Sequence, residues 1–228
     1  MKRLIIILGI ACISASAIAQ SLENETRFRL RDGRSKYLSD SFVGLGFIQG
    51  ENDYYQLGGS SINLDIGRMH RYQFKPRFAL IGTVQYSYYN YKLHDAASEP
   101  IFNDIVLDGK TYDNISKQVF RTHNISASAG YRFYLAPPKR NSNNAGLFAD
   151  VSVQGDFAFS KYYKLKPNGE SNIKRRDKDV FNPFTTSYIV RIGWNSFSVY
   201  ARYRVTDVFN SKRLPMDVPP LTIGVQLL

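Results

Sequence analysis

Residues 146–160, GLFADVSVQGDFAFS, alternate between apolar and polar side chains along almost their whole length. One parity holds apolar or small residues, namely Leu147, Ala149, Val151, Val153, Gly155, Phe157 and Phe159. The other holds polar residues, namely Asp150, Ser152, Gln154, Asp156 and Ser160. A period of two is typical of a β-strand with one apolar face, but an ordinary strand has only about five to six residues. The central question is therefore which solvent meets each face of so long a strand.

Seven further segments alternate in the same way, at residues 41–49, 60–72, 77–91, 118–134, 186–194, 197–205 and 220–228. Short and long connections alternate between these segments. Those at 73–76, 135–145 and 195–196 are mostly short, and those at 50–59, 92–117, 161–185 and 206–219 are longer. This layout predicts an all-β, antiparallel up-and-down barrel of about eight strands, with tight turns at one end and large loops at the other.

The absence of two residue types from these segments indicates what surrounds the barrel. The chain has 30 Lys+Arg and 19 Asp+Glu, yet the eight segments contain neither Lys nor Glu. A soluble barrel would normally carry both on its wet face. Tyr, Phe and Trp also gather near both ends of the segments, as they do at the two interfaces of a membrane. We therefore predict a transmembrane barrel with lipid on its apolar face and an enclosed polar lumen.

Charged residues on the polar parity are predicted to meet inside the barrel. They are Asp65, Arg132, Asp150, Asp156, Arg191, Arg202 and Arg204. Eight strands leave a lumen that side chains fill, and a buried charge is tolerated when it is paired and hydrogen-bonded. We expect a lumen charge network. An open path for ions, as in a narrow porin-like channel, is the alternative use of the same residues.

The beginning of the chain predicts export. Residues 1–19 combine a basic start, an apolar core and the small residues Ala17 and Ala19, which is typical of a cleaved signal peptide. We expect 20–40 to be an N-terminal periplasmic segment and 41–228 to be the barrel. Within 20–40, the stretch TRFRLRD alternates. It is either a solvated leader, or a short strand that pairs with an envelope protein or forms a plug at the periplasmic mouth.

Enzymatic chemistry has little support in the sequence. The chain has 3 His, and only His123, in THNIS, lies near hydroxyl side chains. An acyl hydrolase needs a nucleophile, a histidine base and an orienting acid within reach of one another. We therefore predict no catalytic residue, no metal site and no cofactor, and we place a lipid A-modifying enzyme third among the functions. Nucleic acid is not an expected partner of an exported barrel.

A basic run at 161–179 is the strongest candidate for ligand binding. Its cationic residues are Lys161, Lys164, Lys166, Lys174, Arg175, Arg176 and Lys178. Lys and Arg bind phosphate through charge-assisted hydrogen bonds. We predict that this loop binds an anionic ligand such as lipopolysaccharide, or an acidic surface partner. A solvated charge run without a ligand is the alternative.

The pattern over residues 41–228 resembles the small eight-stranded outer-membrane barrels of the OmpA/OmpX type and the outer-membrane β-barrel domain proteins of the Bacteroidota. The resemblance implies a cell outer-membrane location, insertion by the barrel-assembly machinery, and both mature termini in the periplasm. The short turns would then be periplasmic and the long loops extracellular. The expected function is non-enzymatic, either structural in the envelope or binding at the surface through the loops.

Overall fold

The computed structural model describes residues 37–52, 55–57, 61–94, 115–136, 146–167, 173–176, 181–211 and 217–228. These ranges hold eleven strands: β1 (Tyr37–Gln49), β2 (Glu51–Asn52), β3 (Tyr55–Leu57), β4 (Ile62–Lys75), β5 (Phe78–His94), β6 (Ile115–Ala136), β7 (Leu147–Pro167), β8 (Ile173–Arg175), β9 (Phe184–Trp194), β10 (Phe197–Arg204) and β11 (Leu221–Leu227). No helix among the described residues is long and apolar enough to cross a membrane.

Eight of the strands close into an antiparallel barrel. The order is β1-β4-β5-β6-β7-β9-β10-β11, and β11 pairs back with β1. Each barrel strand therefore pairs with its neighbours in the sequence, which is the predicted up-and-down order. The three short strands lie beyond this ring, because β2 and β3 form a hairpin beside the end of β5, and β8 pairs with β7. The predicted closed eight-stranded antiparallel barrel is confirmed.

The register fixes the inclination of the strands. Stepping from partner to partner around the barrel leads from Phe47 on β1 back to Tyr37 on the same strand, ten residues away (47 − 37). A barrel of eight strands with this stagger has strands tilted by about 40°. Each residue then rises about 2.5 Å along the barrel axis, since a strand advances about 3.3 Å per residue along its own direction.

Two tight turns define one end of the barrel, here called the turn end. Trp194 pairs with Phe197, so only two residues turn the chain, and Asn195 takes the left-handed backbone conformation with φ 54°. Asn is among the few residues other than glycine that adopt this conformation readily. The turn between β4 and β5 is similarly short, with Pro76 and Arg77 between the strands. The opposite end of the barrel is called the loop end.

The strands reach further than the alternation predicts, mainly at the loop end. β6 has 22 residues and β7 has 21. The first strand begins at Tyr37, four residues before the predicted barrel boundary at 41, and the rest of the 20–40 segment lies outside the described residues. The prediction of a loop over 161–185 needs correction, because Lys161, Lys164 and Lys166 lie on β7. Backbone pairing of β7 with β6 and β8 holds this region as sheet.

A β-bulge in the middle of β7 changes which residues of the strand face the lumen. His123 pairs with Ser160 and Asn124 pairs with Ala158, so Phe159 has no partner of its own on β6. An extra residue in one strand reverses the parity that follows it. Phe157 is accordingly exposed on the outside, whereas Tyr163, of the same parity, is buried.

The barrel is apolar outside and polar inside. Large exposed apolar residues cover the outer wall on all eight strands, including Leu45, Ile66, Val84, Ile125, Val151, Ile192, Val199 and Ile223. The buried residues include many polar ones, among them Asn63, Thr83, Gln85, Ser126, Gln154 and Ser198. A soluble protein has the opposite arrangement. The two predicted faces are therefore the faces that the structure has.

Glycine makes room for one large side chain that crosses the lumen. A Cβ atom at Gly46 would lie 2.5 Å from the hydroxyl oxygen of Tyr200, which is too close for any side chain. Tyr200 extends across the barrel and donates a hydrogen bond to Asn63 Oδ1 at 2.9 Å. Glycine on β1 thus permits an aromatic residue of β10 to fill the space inside.

Candidate functional site

The most deeply buried ion pair in the described lumen joins β6 to β7. Arg132 Nε and Nη2 donate to the two carboxylate oxygens of Asp150, each at 2.7 Å, and both side chains are 0% exposed. The Phe148 ring lies 3.6 Å from the guanidinium carbon. Two parallel hydrogen bonds fix the orientation of both groups. Arg132 and Asp150 are register partners, so the sheet itself brings them together.

A second ion pair links strands that are distant in the sequence. Arg202 Nη2 donates to Asp65 Oδ2 at 2.6 Å. Arg202 Nη1 donates to Tyr89 Oη at 2.6 Å and to Asn63 Oδ1 at 3.2 Å. The pair therefore connects β10 with β4 and β5 across the lumen. Such a cross-link fills space that an ion path would need.

Two members of the predicted network form no ion pair among the described residues. Asp156 accepts a hydrogen bond from Gln154 Nε2 at 2.7 Å. Arg191 donates only a long hydrogen bond, 3.5 Å from Nη1 to Ser152 Oγ, although it is the register partner of Asp150. Arg132 already occupies both oxygens of that carboxylate. The seven predicted residues are all buried. Four of them form two separate ion pairs, Arg132–Asp150 and Arg202–Asp65, rather than one network.

The seventh residue, Arg204, is paired with an acid outside the predicted set. Arg204 Nη1 donates to Asp217 Oδ2 at 2.6 Å and to the Thr206 carbonyl at 2.7 Å. Asp217 Oδ1 in turn accepts the backbone N–H of Val208 at 2.9 Å. These bonds hold both ends of the connection between β10 and β11 against the loop end of the barrel. Sequence reasoning missed Asp217 because it lies in a connection, where parity says nothing.

A further ion pair near the turn end was also missed. Arg71 Nη2 donates to Asp40 Oδ2. Arg71 shares the inward parity of Asp65 on β4, so the alternation contains the signal that places it inside. Asp40 lies one residue before the predicted start of the first strand, and the observed strand includes it.

An aromatic cluster closes the lumen at the loop end. Phe120 stacks on Phe181, with ring centroids 4.6 Å apart, and on Tyr91 at 5.6 Å. Phe209 contacts Phe120 and Phe181 with centroids 5.3 Å and 5.5 Å away. These four side chains are buried. We call them the aromatic plug. They lie above the Arg202–Asp65 pair, so the described part of the lumen is occupied at two levels.

The predicted basic residues do not all face the same way. Lys161 follows the bulge and points inward, where its Nζ donates to the Phe181 carbonyl at 3.1 Å. Lys166 is exposed on β7. Arg175 pairs through its backbone with Tyr163. Lys178 lies outside the described residues.

Four cationic residues lie on the outer wall at the loop end, and two of them contact Tyr162. Lys164 and Lys174 are register partners on β7 and β8, and Lys174 Nζ lies 4.1 Å from the centre of the Tyr162 ring. Arg121 Nη1 donates to Tyr162 Oη at 3.3 Å, and Arg176 is exposed on the same edge. We call Arg121, Lys164, Lys174 and Arg176 the cation cluster. No carboxylate of the described residues forms an ion pair with any of the four.

His123 lies in an aromatic belt directly below the cation cluster. Its Nδ1 is 2.6 Å from Tyr86 Oη, and the rings of Tyr88, Phe159 and Tyr162 have centroids within 5.1–6.3 Å of its own. Ser126 faces the lumen, where its Oγ donates to Ser87 Oγ at 3.0 Å. His123 and Ser126 therefore lie on opposite faces of β6. The described residues contain no cluster of His, Cys, Asp or Glu that could hold a metal ion.

Comparisons with known proteins find a similar shape at low identity. One solved structure is the crystal structure of Ail, the attachment invasion locus protein of Yersinia pestis, which is 14% identical with a TM-score of 0.40, over 83% of this chain and 93% of that chain. Another is the backbone structure of the Yersinia pestis outer membrane protein Ail in a phospholipid bilayer nanodisc, with 17% identity, a TM-score of 0.31, and 82% and 97% coverage. No family model and no curated protein matches the sequence. Neither solved structure identifies what this barrel binds.

Proposed function

We propose that the chain is a non-enzymatic barrel of the outer membrane that binds phosphate-bearing surface glycolipid, such as lipopolysaccharide, at its loop end. The apolar outer wall and polar interior support a lipid surrounding, because a closed barrel leaves no unpaired sheet edge in hydrocarbon. The loop end is extracellular in this proposal and the turn end is periplasmic.

The observation that carries the binding proposal is the pairing of Lys164 with Lys174. Like charges directly opposite each other in an antiparallel pair are destabilising, and no described carboxylate relieves them. A phosphate between the two amines would do so through charge-assisted hydrogen bonds. Arg121 and Arg176 add two further donors. The aromatic belt of Tyr86, Tyr88, Phe159 and His123 lies below, at the level expected of a membrane interface.

Replacing Lys164, Lys174 and Arg176 together with Ser should reduce the retention of lipopolysaccharide. The loss should be largest at low salt and should shrink as salt rises, because exposed charges are screened over about 8 Å at physiological ionic strength. To measure retention, each protein is purified from native outer membranes, and the bound lipopolysaccharide per barrel is quantified at several salt concentrations.

The matched control replaces Lys75 and Arg77, two exposed cationic residues at the turn end, with Ser. This variant should retain as much lipopolysaccharide as the wild type, and both variants should keep the heat-modifiable gel shift of a folded barrel. Equal retention by the wild type and the cation-cluster variant at low salt would refute the binding proposal.

The side chains that fill the lumen support a barrel that does not conduct ions. The Arg202–Asp65 pair crosses it, and the aromatic plug occupies its loop end. We therefore expect wild-type protein in planar lipid bilayers to give no stable conductance, because a path would have to displace buried and hydrogen-bonded side chains. Large, long-lived conductance steps from purified protein would favour the porin-like alternative instead.

A further inference from the structure

The outer wall carries a polar interruption in the middle of its apolar belt. On β4, the outward-facing residues from the loop end to the turn end are Ile62, Leu64, Ile66, Arg68, His70, Tyr72 and Phe74. Arg68 is the central one of these positions. At a rise of about 2.5 Å per residue it lies about 15 Å from either end of the series, which is close to the midplane of a bilayer.

Arg68 is partly exposed, and no acid of the described residues is paired with it. Its register partners are Ser41 on β1 and Val84 on β5, and Val84 is 58% exposed on the outer wall. Arg68 Nε is buried and makes no hydrogen bond with the described residues. An arginine on the lipid face at this depth costs about 2–4 kcal/mol in a transmembrane barrel. A partner that supplies an anion would remove much of that cost.

The polar character continues from Arg68 only toward the turn end. His70 is the next outward residue on β4, and its ring nitrogen Nδ1 is 2.5 Å from Tyr37 Oη. Ser39 is the register partner of His70, and its Oγ is buried without a hydrogen bond among the described residues. In the other direction the outward neighbours are Ile66 and Val43. Arg68, His70 and Ser39 thus form a polar stripe that runs from the middle of the outer wall toward the turn end of the barrel.

A groove lies beside this polar stripe. It encloses about 460 Å³ and is lined by Tyr37, His70, Tyr72, Leu80, Gly82 and Tyr131, among others. Gly82 and Ala129 are register partners and form its shallow floor, because one lacks a side chain and the other has only a methyl group. Leu80 and Tyr131 form a higher wall along one side. The groove is therefore an apolar channel next to the polar stripe.

We propose that this face binds one glycerophospholipid from the leaflet at the turn end, with its phosphate drawn toward Arg68 along the polar stripe and one acyl chain in the groove over Gly82. The inference rests on the membrane location in the proposed function. A second copy of the chain is a poorer occupant, because the outward faces of the described barrel strands carry no Asp or Glu to meet Arg68. A phospholipid supplies both the anion and the apolar chain that the two adjoining features require.

Gly82→Leu tests the acyl-chain part of this proposal. A Cβ atom at Gly82 would meet only the Ser128 carbonyl oxygen, at 3.6 Å, which is an ordinary contact. A leucine there fills the groove without disturbing the sheet. Arg68→Gln tests the phosphate part, because it keeps a polar side chain of similar length and removes the charge. Val190→Leu on the far wall and Arg77→Gln in a turn are the matched controls.

Native mass spectrometry of the full chain, folded in detergent and titrated with phosphatidylglycerol, counts the bound lipids. Wild type should hold one phosphatidylglycerol at least about tenfold more tightly than dioleoylglycerol, which has the same kind of chains without phosphate. Arg68→Gln should remove this preference, Gly82→Leu should weaken both lipids, and the two controls should behave as wild type. A heat-modifiable gel shift verifies that each variant is folded.

Several results would overturn the proposal. Among them are equal affinity of wild type for the two lipids, unchanged binding by Arg68→Gln, and a dimer that forms in place of the lipid adduct and disappears with Arg68→Gln. Displacement of phosphatidylglycerol by lipopolysaccharide at this face would also overturn it, because it would identify the occupant as a lipid of the other leaflet. The Lys164, Lys174 and Arg176 variant should still bind phosphatidylglycerol normally, which separates a failure here from a failure of the proposed lipopolysaccharide site.

Discussion

Asp150→Ala is expected to lower the free energy of unfolding of the barrel by about 3–5 kcal/mol, because it leaves the guanidinium of Arg132 buried without its counter-ion. Both side chains are fully buried, and Asp150 accepts both hydrogen bonds of the pair. The loss should appear as a lower urea concentration, or a lower temperature, at which the heat-modifiable gel shift disappears.

A double variant separates a lost ion pair from lost packing. Arg132→Met with Asp150→Leu removes both charges and replaces them with apolar side chains of comparable volume, so it should recover most of the stability. Asp156→Ala is the matched single control, since Asp156 is buried in the same lumen without an ion pair among the described residues. If Asp150→Ala and Asp156→Ala lower stability equally, the pair with Arg132 has no special role.

Alternation alone predicts the barrel well because each strand has one apolar outward face and one enclosed polar face. Every strand of the ring begins and ends within about four residues of a predicted segment, except that β7 continues seven residues (167 − 160) past its predicted end. The parity of Asp65, Arg132, Asp150 and Arg202 places all four inside, where the structure buries them. Composition also contributes, because Lys and Glu are absent from the eight alternating segments.

The errors arise where something other than parity decides the structure. The bulge at Phe159 reverses the facing of β7, so Lys161 points inward although it was predicted to bind a ligand outside. Backbone pairing extends β7 to Pro167 and adds β8, so the described part of the basic run is sheet rather than loop. Asp217 reaches Arg204 through a fold of the connecting chain that no periodic pattern encodes.

Arg68 shows a different kind of error. It lies on the apolar parity of β4, between Ile66 and Tyr72, and the pattern of that strand still averages as apolar on this face. A single polar exception does not disturb the prediction of the strand, so the alternation hides it. Its position becomes informative only when the register places Gly82 beside His70, the next outward residue on β4, and Ala129 one strand further along.

Phe120→Ala is the second change with a large expected effect, because Phe120 is the centre of the aromatic plug. Its side chain is 0% exposed and contacts Tyr91, Phe181 and Phe209. Truncating a buried phenylalanine to alanine costs about 3–5 kcal/mol, through lost contacts and the cavity left behind. The connection that carries Phe209 should loosen first, since Phe120 is one of the rings that hold it at the loop end.

Protease added to intact cells measures this loosening and the orientation of the barrel together. Phe120→Ala should be cut within 206–219 faster than wild type, if the loop end is extracellular as proposed. Phe159→Ala is the matched control, because Phe159 is an aromatic residue of the same end whose side chain is 54% exposed on the outer wall. It should leave both stability and cleavage close to wild type. If cleavage within 206–219 becomes faster only after the outer membrane is permeabilised, the loop end is periplasmic and the orientation is inverted. If the two variants are cleaved equally, the aromatic plug does not hold the connection in place.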